Sequence, residues 1–155
     1  MIKVSSENYK KQLQDKEHLF NSYFKDVVSK NIYSSPYHSF RHRCEFGLAE
    51  FKNGFNYSMI EDRKRIEIDE YPICSESIQK LMKNLLQELT KEDVLLNKLF
   101  QIEFQSSRLD EVMVSLIYHK KLDENWIKKI AAVKEDLECS VIGRSKNQKL
   151  VIGQD

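Results

Sequence analysis

The first thirty residues carry apolar side chains at helical spacing. Tyr9, Leu13, Phe20, Phe24 and Val27 fall on roughly one side of a helix predicted over residues 5–29, with Lys10, Lys11, Asp15 and Glu17 on the water side. Ser5 or Ser6 can cap its first amides, and Glu7 suits its positive end. Residues 31–36 read as a loop, because Pro36 pushes Ser35 towards extended backbone. From Arg41 the period changes to two. Cys44, Phe46 and Leu48 take one face, and Arg41, Arg43 and Glu45 take the other. Asn53-Gly54 predicts a type I′ hairpin turn, whose two central residues both need positive φ. The return strand sets Phe55, Tyr57 and Met59 on one face, and a polar turn at 61–64 leads to a short third strand with Ile66 and Ile68.

Pro72 closes that meander. Ser75 then caps a helix whose stripe is Ile78, Leu81, Met82, Leu85 and Leu89. Phe100, Ile102 and Phe104 alternate with Gln101, Glu103 and Gln105 in a fourth strand. The fifth, from Val112 to Tyr118, is apolar on both faces until His119, which predicts an interior position. Asp123 caps a further helix with Trp126, Ile130, Val133 and Leu137 along its stripe. Two last strands, near Val141-Ile142 and 150–152, flank a polar turn at 145–148. The fold class is α+β: a mostly antiparallel sheet with three main helices, packed on one side. Residues 1–155 form a single domain, with a leading helical segment over 1–30 and an α+β body over 37–155. The chain stops at Gly153-Gln154-Asp155, directly after a strand, which suggests a piece of something longer.

Composition narrows the chemistry. Lys and Arg number 25 and Asp and Glu 24, a net charge of +1, so a polyanion binder must gather its cations into patches. No apolar run approaches the roughly 18 residues of a membrane helix, and no signal peptide is present, which predicts a cytoplasmic protein without a membrane partner. The four glycines, Gly47, Gly54, Gly143 and Gly153, cannot write a dinucleotide, P-loop or nucleophile-elbow motif. Cys44, Cys74 and Cys139 are far apart and read as buried reduced thiols. His18, His38, His42 and His119 have no zinc-ligand spacing, so no metal is expected.

The basic clusters are Arg41-His42-Arg43, Arg63-Lys64-Arg65, His119-Lys120-Lys121, and Arg144 with Lys146 and Lys149. Each lies at a predicted strand end or turn. They fit solvated edges that discourage strand-to-strand association, and they equally fit a surface that tracks phosphates. Arg41 and Arg43, two apart on a strand, point the same way as a comb for phosphate oxygens. Phe100 fits either the core or a strand-end ring that stacks on an unstacked base. His119 is either a half-exposed strand-end histidine or a partner for a base edge or phosphate. Trp126 reads as a core anchor under a helix start. No nucleophile, base and orienter can be assembled, so no catalytic residue is assigned.

Several stretches resemble one family. Ser35-Pro36-Tyr37-His38-Ser39-Phe40-Arg41-His42-Arg43-Cys44-Glu45-Phe46 fits an S-P-x-x-x-[FY]-R-x-R-x-E-F pattern. Leu99-Phe100-Gln101-Ile102 is followed by Val114-Ser115-Leu116-Ile117-Tyr118-His119-Lys120-Lys121-Leu122-Asp123 and Trp126, and then by Val141-Ile142-Gly143-Arg144-Ser145-Lys146. In order and spacing these resemble the N-terminal part of bacterial tRNA (uracil-5-)-methyltransferases, which make ribothymidine in the tRNA T loop with S-adenosylmethionine. Ribosomal-RNA relatives begin with an OB-like barrel, and the leading helix here favours the tRNA branch. The resemblance runs from about Ser5 to the end.

It implies an N-terminal RNA-recognition domain of an RNA methyltransferase. The Rossmann-like domain that binds S-adenosylmethionine is absent from the chain and would be its intramolecular partner. The chain alone is then expected to bind no cofactor and to transfer no methyl group. Neither Cys44, Cys74 nor Cys139 stands in the family's Ser-Cys-Asn-Pro nucleophile context. The implied partner is the T arm of tRNA, or a tRNA-like RNA. The implied RNA-binding residues are Arg41, Arg43, Phe100, His119, Lys120, Lys121 and Arg144. Phe100 and His119 match positions that hold the T loop open while the target base leaves its stack. One position departs: the tRNA branch can carry an arginine after the Glu-Phe pair, where Gly47 stands, and Lys64 or Arg65 is a candidate replacement. Two other readings remain, a stand-alone RNA-binding module without catalysis and a small protein-interaction domain.

Overall fold

The computed structural model describes residues 5–26 and 30–152. In chain order the elements are α1 (Ser6–Tyr23), β1 (Arg43–Phe51), β2 (Gly54–Glu61), β3 (Lys64–Ile68), α2 (Glu76–Thr90), α3 (Asp93–Leu96), β4 (Leu99–Ser106), β5 (Val112–Tyr118), α4 (Glu124–Leu137), β6 (Ser140–Ser145) and β7 (Gln148–Ile152). All seven strands join one sheet in the order β3-β2-β1-β4-β5-β6-β7. Neighbours are antiparallel except β5 and β6, which run parallel because α4 carries the chain back between them. The class is α+β, as the alternation of patterns predicts.

Period-two alternation decides which face of the sheet is dry. Phe46 pairs with Ile102, Cys44 with Phe104, and Val114 with both Phe104 and Val141, so one face is a continuous apolar layer. Onto it α2 lays Ile78, Leu81, Met82, Leu85 and Leu89, all buried, and α4 lays Trp126, Ile130 and Val133. Leu137 is half-buried at the end of that stripe. The caps are those the sequence names. Ser75 Oγ accepts from the Ile78 amide, and an Asp123 carboxylate oxygen accepts from the Trp126 amide at 2.9 Å. Opposite Trp126, β6 carries Gly143, because a Cβ there would run into the indole and lie 2.7 Å from Leu122 Cδ1. The three cysteines are free and buried. The Cys44 thiol is pushed up by its hydrogen bond with Cys74 and by burial.

Four expectations need correction. First, α1 ends at Tyr23 rather than 29, and it buries no residue. Phe20 and Phe24 stay exposed and Tyr9 and Leu13 are only half-covered. Val27 lies outside the described residues. The helical period is real, but the stripe is only partly covered: Tyr9 and Leu13 line an open pocket with Tyr33, Tyr37, Phe40 and Ile73. Second, the β1–β2 turn falls one residue early, at Lys52-Asn53. Phe51 pairs with Gly54, and Gly54 alone takes positive φ, +112°, so the loop is not type I′. The two consecutive positive-φ residues sit in the β2–β3 turn instead, at Asp62 and Arg63. Third, a one-turn helix, α3, precedes β4 and was not anticipated. Fourth, β4 is not a regular alternation. Leu99 pairs with Tyr118 and Gln101 with Ile117, which leaves Phe100 as the extra residue of a β-bulge.

Candidate nucleic-acid interface

The bulge builds the site. It gives the core position to Leu99, which is buried, and frees Phe100 from the inward row of Ile102 and Phe104. β5 leaves the sheet at the same end. There the amide of His119 donates to Lys98 O at 2.9 Å, one step beyond the last strand pair. The two freed rings meet. Phe100 and His119 stack with centroids 3.8 Å apart and planes 8° from parallel. Phe100 is half-buried and His119 exposed, so the stack is presented to solvent.

The stack forms one wall of an open cleft of about 740 Å³. Ile117 and Arg144 come from the uncovered face of the sheet, and residues 145–148 come from the β6–β7 turn. Side-chain bonds to backbone hold these walls together. Gln148 donates to Leu122 O and accepts from Leu122 N, at 3.0 and 2.8 Å. Ser145 Oγ donates to Lys120 O at 2.6 Å. Lys121, Arg144 and Lys146 are exposed around the opening, and Lys149 lies opposite Arg144 across the last hairpin. Among the described residues none of these four is in an ion pair. The arrangement is an apolar, ring-lined notch rimmed by free cations, suited to a base and its flanking phosphates.

The residues named from sequence do not all converge here. Phe100, His119, Lys121 and Arg144 do. Lys120 lines the same cleft, but its ammonium is turned inward. It donates to Val94 O at 2.6 Å and sits 5.5 Å from the Tyr118 ring centroid. Burial lowers the Lys120 pKa, with Asp123 opposing. Arg41 and Arg43 stand at the opposite end of the sheet. Arg43 pairs with Gln105, five positions along β4 from Phe100, roughly 17 Å at strand spacing. Arg41 is stitched through its backbone to the chain before α2, its amide donating to Ile73 O at 2.8 Å and its carbonyl accepting from Ser75 N at 2.9 Å. Lys64 and Arg65 belong to that far end too, two strands from Gly47. Gly47 pairs with Gln101 and packs against Ser58, and a Cβ there would lie 3.7 Å from Phe100 O, beside the bulge. The bulge and the inward lysine escaped sequence reasoning. The adjacent apolar pair Leu99-Phe100 opening an alternating strand was the available sign of the first.

A family model described as tRNA (Uracil-5-)-methyltransferase matches residues 8–155. The tRNA/tmRNA (uracil-C(5))-methyltransferase of Chromohalobacter salexigens is 37% identical over 161 residues, covering 98% of this chain and 43% of that protein. The Acinetobacter baumannii (strain AYE) protein of the same description is 36% identical over 156 residues, covering 96% and 43%. Among solved structures, Pyrococcus abyssi tRNA (uracil-54, C5)-methyltransferase in complex with S-adenosyl-L-homocysteine superposes with a TM-score of 0.60 at 18% identity. The match covers 94% of this chain and 37% of that one, a likeness of fold. The chain thus spans less than half the length of the curated relatives it matches.

Proposed function

The chain belongs to the tRNA (uracil-5-)-methyltransferase family, and from that premise we propose that it is the RNA-gripping portion of an enzyme that methylates C5 of a T-loop uridine. The observation that carries this reading is the Phe100–His119 stack at the mouth of a cation-rimmed cleft. A base inside a folded loop hides its reacting carbon, so the loop has to be opened before chemistry. An already stacked ring pair offers a π-face to a neighbouring base with little ordering cost. Such stacking is worth roughly 1–3 kcal/mol per base. Lys121, Arg144 and Lys146 would hold the loop's phosphates and release counterions.

We read this chain as holding no methyl donor, a reading supported by the described glycines: Gly47 packs on Ser58, Gly54 serves a hairpin turn and Gly143 lies under Trp126. We assign S-adenosylmethionine, the attacking cysteine and the general base to the remainder of the full-length enzyme. The work of this chain is binding, stacking and charge neutralisation, in the cytoplasm with tRNA or a tRNA-like RNA.

The test is titration of a T-arm hairpin at several salt concentrations. Binding is expected to weaken with a log–log slope of about −0.7 per phosphate contact, and Lys121→Ala or Arg144→Ala each to flatten it by about 0.7. Phe100→Ala is expected to weaken binding by about 1–3 kcal/mol at an unchanged slope. A salt-independent response would favour a protein-interaction domain and defeat the proposal.

A further inference from the structure

Three consecutive residues around the stack each donate a hydrogen bond to the segment that ends α3. Tyr118 Oη donates to Leu95 O at 2.8 Å, His119 N to Lys98 O at 2.9 Å, and Lys120 Nζ to Val94 O at 2.6 Å. Two of the acceptors, Val94 O and Leu95 O, belong to a short helix that is itself fixed, and Lys98 follows its C-cap. Leu95 is fully buried, and Glu92, at its N-cap, is bound by Lys129 of α4 at 2.8 Å. The exposed imidazole of His119 is therefore flanked in sequence by two side chains that point the other way, into the protein. Four rotatable bonds separate the Lys120 ammonium from its backbone, and a free lysine would spend that freedom in water. Here the ammonium is pinned between a carbonyl and the Tyr118 ring, while Lys120 O is fixed from the other side by Ser145.

We propose that Lys120, with Tyr118, is a positioning residue that fastens the end of β5 to α3 and so holds the His119 ring against Phe100, rather than a phosphate contact. The consequence for RNA rests on the reading given above, but the positioning itself does not. The neighbouring Lys121, exposed and in no ion pair among the described residues, takes the phosphate role within the same Lys-Lys pair. Two adjacent lysines in one basic cluster thus have opposite tasks.

Nuclear magnetic resonance on the 155-residue chain without RNA tests the positioning. In the wild type the Lys120 ammonium protons are expected to exchange slowly and to couple across the hydrogen bond to the Val94 carbonyl. His119 ring protons are expected upfield, shielded by the Phe100 ring. Lys120→Met, which keeps the stem and removes the donor, is expected to abolish that shielding with the core amide spectrum retained, and Lys120→Arg to preserve it. Fast ammonium exchange without coupling in the wild type, or unchanged His119 shifts in Lys120→Met, would overturn the proposal; the wild-type measurement decides even should that variant not fold. With T-arm RNA, Lys120→Met is expected to lose about five- to tenfold in affinity at an unchanged salt slope. A slope flattened by about 0.7, with the stack intact, would make Lys120 a phosphate contact and refute the assignment. If the wild type binds no T-arm RNA, the functional reading fails while the resonance data still judge the positioning.

Discussion

Of the described glycines, Gly143 has the least room for a side chain. Its Cα hydrogen faces the indole of Trp126, which fills the space where any side chain would stand. Gly143→Ala is expected to cost about 1–3 kcal/mol through overpacking, read as a lowered urea midpoint at an unchanged slope. Three phenols give the fold a pH limit. Burial raises Tyr57 well above its usual value, and it raises Tyr118 and Tyr71 also. Each is a group whose folded pKa exceeds its unfolded one, so its contribution is complete below about pH 10 and is lost as pH rises further. Stability is therefore expected to fall above pH 10. Tyrosinate absorbance should rise in two steps, exposed phenols first and these three only with unfolding. A single step with the fold intact would contradict the burial. At the same scale Lys120 and Lys121 show that a basic cluster is not one thing, since one ammonium is tied to Val94 O and the other residue is exposed.

Among the elements, helix stripes and caps were legible wherever a facing layer exists. All five stripe residues named for α2 are buried, and Ser75 and Asp123 cap as expected. The stripe of α1 has the same periodicity and buries nothing, because periodicity states which side is apolar and not what covers it. An isolated helix of this length is marginal in water, so α1 should contribute little to the cooperative core. A chain beginning at residue 37 is expected to unfold with the same midpoint as the full chain, within a few degrees. A large drop in calorimetry would mean that α1 is integral to the body. The β4 bulge was hidden for a different reason. Alternation over Phe100, Ile102 and Phe104 fits a regular strand, and beside it the apolar pair Leu99-Phe100 is a weak sign that the pairing of Leu99 with Tyr118 resolves. Turn chemistry misled in a third way. Asn-Gly is a strong hairpin signal, yet the register closes on Gly54 after a Lys52-Asn53 loop.

On the scale of the whole molecule, the class, the element order and the covered face followed from pattern, while the joining of three strand groups into one sheet did not. The β1–β4 pairing is long-range, and alternation carries no record of which strand lies beside which. The same limit governs the site. Sequence places Arg41, Arg43 and Arg144 at strand ends but not at which end of the sheet. The structure sets Arg144 beside the Phe100–His119 stack and the other two at the far end of β4. The most direct measurement is chemical-shift mapping of the labelled chain during titration with a T-arm hairpin. The account predicts the largest changes at the Phe100 and His119 rings and at Lys121, Arg144 and Lys146, with the α2–α4 side silent. Changes confined to the Arg41 and Arg43 end, or to the exposed side chains of α1, would contradict it.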